Sequence, residues 1–500
     1  MFYYIDPGTG SMLFSIVIGI AATLYFSLRA LTVKLKMKFS TKDVKATLSQ
    51  EKKPYVIYCE GKQYFNVFRP IVDEFEKRGL PLVYYTSAED DPVLTAGFPH
   101  VTAEYIGSGN KAFARLNFLD ADVVLMTTPG LDVYQLKRSK NVRHYSHILH
   151  MPSDPTTYRM FGLDFFDSVL LTGDYQKADI RYLEKLRTIK AKDLVTVGCT
   201  YLDVLQEKFA AIQPNADHQF TVLVAPSWGP SALLSRFGER LLDPLVETGL
   251  QIIVRPHPQS KTSEKEMLDK LRKRYEGKGT IRWDFEPDNS MALSQADIMI
   301  SDFSGVVFDY TFLRDKPVLY MLQGFDPLPY DCDDIPHELW QFRALKKFGI
   351  PLQEEDLPRI GQVIQAASDS PALAAARHAA KAEAWANEGH AAEKVVDYLQ
   401  SVEQKIQGEE AAKRTYDYRI DTVKNVLAFQ NLVASEAHAH AVTLDPRSNA
   451  LATILVCEQA PAIAAKLQEK HIQVTVVDAT HIAVGPSADK RLLDVIDAIE

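Results

Sequence analysis

Short apolar runs of strand length alternate with amphipathic stretches through most of this chain. Tyr55–Cys59, Leu82–Tyr85, Ala121–Met126, His147–Leu149, Ser168–Leu171 and Leu194–Val197 read as strands, with helical or loop segments between them. Asn66–Arg78 carries apolar positions at helical spacing, and Gly79 follows as the natural stop. Residues 212–218 are polar, contain Pro214 and read as a linker. A second alternation then begins at Phe220–Val224 and continues through Gln251–Arg255, Ile281–Trp283, Ile298–Ile300 and Val318–Met321. Strands alternating with helices predict mostly parallel sheets covered on both faces. Two consecutive units of this kind, 54–213 and 214–400, predict two Rossmann-like α/β domains with a cleft between them. The Ala-rich stretch Pro371–Gln400 reads as helical and ends this region. After a charged linker at 401–415, the runs Leu451–Cys457, Pro461–Lys470, Gln473–Val477, Thr480–Val484 and Asp489–Ile499 read β-α-β-β-α. They make residues 416–500 a small α+β module for binding or assembly.

The amino-terminal pattern differs. Met12–Leu31 is apolar apart from Arg29, about the length that spans a bilayer as a helix. Lys34, Lys36, Lys38, Lys42, Lys45, Lys52 and Lys53 follow it. This predicts a short extracytoplasmic segment (1–11), a transmembrane helix (12–31) and a basic tether (32–53), with the rest of the chain at the cytoplasmic face. A net charge of −9 over 500 residues argues against nucleic acid as the main partner. Cys59, Cys199, Cys332 and Cys457 lie far apart without metal-ligand spacing, so buried thiols explain them and no metal site is expected.

Candidate chemistry gathers where strands end. Ser301-Asp302-Phe303-Ser304-Gly305 is a tight polar turn between a strand and a helix beginning at Val306, with Ser304 placed to cap it. Free backbone N–H groups, hydroxyls and the positive end of a helix dipole there suit phosphate. Arg255-Pro256-His257-Pro258 stops another strand abruptly and holds His257 in stiff, extended backbone. In the first unit His144, His147 and His150 recur along one strand; spacing that alternates faces keeps them from converging on one metal. His150 ends that strand at the sheet's carboxyl edge, where open α/β sheets bind ligands. His144 and His147 read as structural, Asp203 as a helix cap, and Trp228 as either pocket wall or core.

The motifs Arg255-Pro-His257-Pro and Ser301-Asp-Phe-Ser304…Asp309-Tyr310 resemble those of the CDP-glycerol glycerophosphotransferases, the teichoic-acid polymerases and their relatives. The resemblance extends over roughly 54–400, including Val197-Gly198…Asp203 and Ala225-Pro-Ser-Trp228. It implies a GT-B arrangement and transfer of glycerol phosphate, or a related polyol phosphate, from a CDP-activated donor to a membrane-associated glycan or polyol-phosphate acceptor, with no cofactor. It implies His150 as catalytic base and His257 as its counterpart, with Arg255, Ser301, Asp302, Ser304, Gly305 and Asp309 around the donor. On the residues alone, Arg255 is equally a structural ion-pair residue, and Asp302 and Asp309 either hold the loop or touch the acceptor. Met151 and Gly305 depart from the resembled pattern, which has Gly or Ser, and Ser, in those places. Membrane lipid and a homo-oligomer or envelope-synthesis partner complete the expected partners. Two other readings compete: a GT-B glycosyltransferase using a nucleotide sugar, and a non-catalytic membrane scaffold. A pyridoxal enzyme is remote, since no lysine-bearing motif accompanies the C-terminal module.

Overall fold

The computed structural model describes residues 52–158, 160–213, 217–286, 288–326, 335–368, 373–410, 443–444, 453–456, 460–469 and 474–484. The expected transmembrane helix and most of the basic tether lie outside them. Among the described residues no helix is long and apolar enough to cross a membrane.

Residues up to 402 form one unit holding two parallel sheets. The first comprises β1 (Lys53–Cys59), β2 (Leu82–Thr86), β3 (Val101–Tyr105), β4 (Asp120–Met126), β5 (Asn141–Ile148), β6 (Ser168–Leu171) and β7 (Asp193–Thr196), in the order β3-β2-β1-β4-β5-β6-β7. The second comprises β8 (Thr221–Val224), β9 (Gln251–Val254), β10 (Ile281–Trp283), β11 (Ile298–Ser301), β12 (Val318–Tyr320) and β13 (Ile350–Pro351), in the order β10-β9-β8-β11-β12-β13. Every pairing within both sheets is parallel. Such strands are buried on both faces, so they read as unbroken apolar runs; Val222–Val224 and Ile298–Ile300 are fully covered. Strand order reverses between β1 and β4 and again between β8 and β11, and these crevices at the carboxyl edges are where doubly wound sheets take ligands.

The helices that matter to the site are α1 (Phe65–Lys77), α2 (Gln176–Leu186), α3 (Thr200–Ala211), α4 (Val306–Arg314) and α5 (Trp340–Phe348), and a sixth, α6, at 391–410. α1 buries Val67, Phe68, Ile71, Val72 and Phe75 on one stripe. It ends as expected: Gly79 adopts φ 66°, and Leu80 N–H donates to Phe75 O at 3.0 Å. One shared core joins Cys199, Leu202 and Leu205 to Leu223, Val307, Phe308 and Trp340 of the second sheet's layer.

Between 371 and 400 the expected helical stretch is two helices, Ala374–Ala384 and the start of α6. The break has a definite cause. Asp203 accepts from the Trp385 indole (2.8 Å), Gly389 N–H (2.9 Å) and Ala391 N–H (3.2 Å), while Ala386 N–H donates to Thr172 O. Asp203 is thus a helix cap, though of α6 and not of its own helix. The crossing backbone runs so close that a Cβ on Gly198 would sit 2.2 Å from Ala386 O. α6 then returns to the first sheet's layer, where Arg78 binds Asp397 and Gln400. The charged stretch expected as a linker is helical through 410.

The second unit, residues 403–500, contains β14 (Thr443–Leu444), β15 (Thr453–Val456), α7 (Ala460–Glu469), β16 (Val474–Asp478) and β17 (His481–Val484). Its antiparallel order is β14-β15-β17-β16. An extra strand therefore precedes the expected β-α-β-β run, and the last expected helix lies outside the described residues.

Candidate functional site

The carboxyl edges of the two sheets meet. Met151, one residue past His150, lies against Gly305: its sulfur stands 3.0 Å from where a Gly305 Cβ would be. Gly305 has φ −60°, which any L-residue adopts, so the approach of Met151 and not backbone conformation is what its missing side chain accommodates. Asp154, farther along the same loop, accepts the N–H groups of Trp340 and Gln341 at 2.9 and 2.8 Å and so caps α5 from across the lobes.

His150 is half-buried at the end of β5. Its Nδ1 lies 3.0 Å from Tyr158 Oη and 3.2 Å from Thr127 Oγ1, and the Tyr64 ring meets it edge-on at 5.3 Å. Burial pulls its pKa down to about 4, so the ring is neutral at pH 7. With the proton on Nδ1, donated to Tyr158 or Thr127, Nε2 keeps a lone pair, as a general base requires. Tyr64, Thr127 and Tyr158 were not singled out from the sequence. The signal available was position, since Thr127 directly follows β4 and Tyr64 lies in the turn that follows β1.

His257 is half-buried after β9, and its Nδ1 accepts from Gln259 N–H at 3.1 Å. That bond fixes the neutral tautomer with hydrogen on Nε2, a donor available to an anion. Burial lowers its pKa, and Glu264 opposes the shift. Trp228 is 40% exposed with its ring 6.3 Å from the His257 ring, so it is not core.

The other expected donor contacts divide. Ser304 and Gly305 stand at the start of α4, where the helix has no side-chain cap, so Ser304 does not play the capping role. Ser301 is fully buried and its hydroxyl donates to Ala225 O at 2.6 Å. Asp302 is also fully buried: Oδ1 accepts from Ser227 N–H (2.8 Å) and Ser304 N–H (3.1 Å), and Oδ2 from Leu233 N–H (2.8 Å). It bridges the loops after β8 and β11 across the crevice where strand order reverses. Burial pushes its pKa up to about 6 despite those three donors. Asp309 accepts from Tyr201 (3.1 Å) and Asn289 (3.4 Å), tying α4 to α3, and burial pushes it up to about 7. Arg255 donates to Asp284 (2.7 Å) and Glu286 O (2.8 Å). Ser301, Asp302, Asp309 and Arg255 thus each have polar atoms engaged within the protein itself. No cluster of metal-ligating side chains occurs among the described residues.

His144 and His147 are structural, as read. His144 Nε2 pairs with Ser168 Oγ at 2.9 Å. His147 is fully covered, with neither ring nitrogen hydrogen-bonded and its ring against Phe166 and Tyr158. Burial holds its pKa near 3. A folded value below the unfolded one means its neutral form is favoured by folding. That contribution is whole above about pH 6.5 and is lost as pH falls towards 3. His147→Leu is therefore expected to hold stability better than the wild type in urea melts at pH 5, by about 1–2 kcal/mol, with little difference at pH 8.

Residues 177–331 match the model of the CDP-glycerol:poly(glycerophosphate) glycerophosphotransferase family. Among solved structures, a histidine-to-asparagine variant of the wall teichoic acid polymerase TagF superposes with a TM-score of 0.51 at 14% identity, covering 77% of this chain and 99% of that one. A histidine-to-alanine variant of the same polymerase gives 0.51 at 14% identity, with 78% and 98% covered. The UDP-GlcNAc 2-epimerase of Methanocaldococcus jannaschii, in complex with UDP-GlcNAc and UDP, gives 0.47 at 14% identity, with 70% and 99% covered. No curated protein matches the chain. The likeness to the polymerase shows the fold, an α/β architecture of parallel sheets similar to GT-B glycosyltransferases.

Proposed function

We propose, starting from a chain that is a CDP-glycerol glycerophosphotransferase-like enzyme, that it moves glycerol phosphate or a related polyol phosphate from a CDP-activated donor to a glycan or polyol-phosphate acceptor. Its apolar segment at 12–31 holds it at the cytoplasmic face of a membrane. The observation that carries this reading is the meeting of the two carboxyl edges, with the loop of His150 set against the start of α4 through Met151 and Gly305.

In this reading the donor diphosphate sits against the opening N–H groups of α4 and the Ser304 hydroxyl, and the helix dipole favours its charge. His257 donates its Nε2 hydrogen to a phosphate oxygen. An acceptor hydroxyl attacks the phosphorus that carries glycerol; a P–O bond forms there and the bond to the bridging oxygen breaks. CMP leaves with that electron pair, and the acceptor proton passes to Nε2 of His150. A depressed pKa keeps His150 neutral before the donor arrives, and the diphosphate's negative charge then raises its basicity.

Loss of His257 removes a donor to the phosphates without touching the base. His257→Ala is expected to raise KM for the CDP donor about tenfold, as for one charge-assisted hydrogen bond. His257→Gln, which keeps an N–H, should recover part of that. An unchanged KM in both variants would remove His257 from the site. The reading as a whole is tested by supplying the purified full chain with CDP-glycerol, CDP-ribitol and UDP-sugars in turn. CMP release from a CDP-polyol supports it. UDP release alone makes the chain a nucleotide-sugar glycosyltransferase, and binding of none by calorimetry makes it a scaffold.

A further inference from the structure

We propose that Met151 decides between transfer and hydrolysis, its side chain closing the seam between the two sheets' layers beside the donor phosphorus. The inference rests on the function proposed above. A CDP-activated polyol is open to water as well as to an acceptor hydroxyl, because both attack phosphorus with an oxygen lone pair. His150, poised as a base for a hydroxyl, would serve a water molecule equally well. A transferase therefore needs an apolar surface where the reacting phosphorus would otherwise meet solvent.

Met151 stands where such a surface is needed. It follows the base His150 directly, and its sulfur and methyl carbon lie 3.0 and 3.7 Å from the place a Gly305 Cβ would take. On one side of the contact is the base; on the other is the start of α4, where the diphosphate sits in this reading. The side chain suits the task. An unbranched chain with a polarizable sulfur fills an irregular gap, and a thioether is a weak acceptor that gives water little to hold.

Both walls of the seam are fixed. Ser153 N–H donates to Met151 O at 2.9 Å, and Ser153 O accepts from the Tyr175 hydroxyl (3.2 Å) and from Gln176 Nε2 (2.8 Å) at the start of α2. Asp154 ties the same loop to α5, and the Tyr175 ring lies 4.1 Å from that of Trp340. Pro152, Asp154 and Pro155 are buried, whereas Met151 is half-buried, at the border of this packed loop. Opposite it, Asp302 holds the Ser304 N–H at 3.1 Å. Walls held this way do not collapse when a side chain between them is shortened. Cutting Met151 back to the β-carbon removes Cγ, Sδ and Cε, which frees more than the about 10–15 Å³ that one water needs.

Water admitted there attacks the phosphorus that bears the polyol. A P–O bond forms, the bond to the bridging oxygen breaks and its electron pair leaves with CMP. The water's proton passes to Nε2 of His150, and free polyol phosphate is the second product. The experiment uses the full chain without acceptor, supplied with CDP-glycerol or CDP-ribitol, whichever the wild type binds by calorimetry. Met151→Ser and Met151→Ala should bind that donor and release CMP about tenfold faster than the wild type. Met151→Leu, which refills the gap, should bring the rate back down. Adding His150→Ala to Met151→Ser should remove the gain. Wild-type protein that binds neither donor would overturn the function proposed above. Donor binding by wild type and variants with equally slow CMP release would overturn the role of Met151 alone. Fast release in Met151→Leu, or in the double variant, would do the same. So would loss of donor binding in both Met151→Ser and Met151→Ala, which would make Met151 a packing residue.

Discussion

His150→Ala is expected to leave the fold intact and cut turnover of a CDP-activated donor roughly a hundred- to ten-thousandfold, the range for removing a general base. The fold should survive because His150 is half-buried and its hydrogen bonds go to the hydroxyls of Tyr158 and Thr127, which can pair with each other. Donor affinity should change little, since the imidazole acts on the acceptor. Tyr158→Phe should cost less, about tenfold in kcat, because Thr127 still holds the Nδ1 proton. The pH profile adds an independent check. With His150 pulled to about 4 by burial, kcat/KM should stay level from pH 8 down to about 5, where an ordinary histidine base would already have failed. Full turnover by folded His150→Ala protein would remove the base from the mechanism.

Asp302→Ala should have the largest effect on stability. Three backbone N–H groups, those of Ser227, Leu233 and Ser304, would lose their common acceptor; all three bonds are buried, and two of them cross the crevice between β8 and β11. At about 1–3 kcal/mol for each buried unsatisfied donor, a loss of about 3 kcal/mol or more is expected in denaturant unfolding. Asp302→Asn, which keeps one acceptor oxygen, should fall between. Any protein that remains folded should also bind the CDP donor more weakly, because Asp302 fixes the backbone of Ser304 at the α4 entrance. The titration has a sign of its own. A folded pKa raised to about 6 means that carrying the Asp302 charge costs stability. This cost grows as pH rises from about 4 to 6 and should disappear in the alanine variant.

Both sheets were legible in the sequence because parallel strands covered on two faces must be apolar at nearly every position. His150 and His257 were legible for a related reason, as polar residues standing where such a run stops. What a polar residue does at a strand end was less legible. Ser301, Asp302 and Arg255 occupy the same kind of place as His257, yet each is satisfied within the protein. The partners that decide this, Ala225, Leu233 and Asp284, lie 76, 69 and 29 residues away in sequence. No local pattern carries that information. The break at Trp385–Gly389 was hidden likewise, since alanine-rich sequence favours helix and the groups that hold the break, Asp203 and Thr172, are distant in sequence. The packing of Met151 against Gly305 was visible as two departures from a pattern, though not as one contact between lobes.

A crystal structure of the full chain soaked with CDP-glycerol tests the central claim most directly. The account predicts the diphosphate seated at Gly305 and Val306, within about 3.2 Å of His257 Nε2, with the Nε2 of His150 facing the phosphorus that bears glycerol. Donor bound elsewhere, or within reach of only one of the two imidazoles, would contradict it.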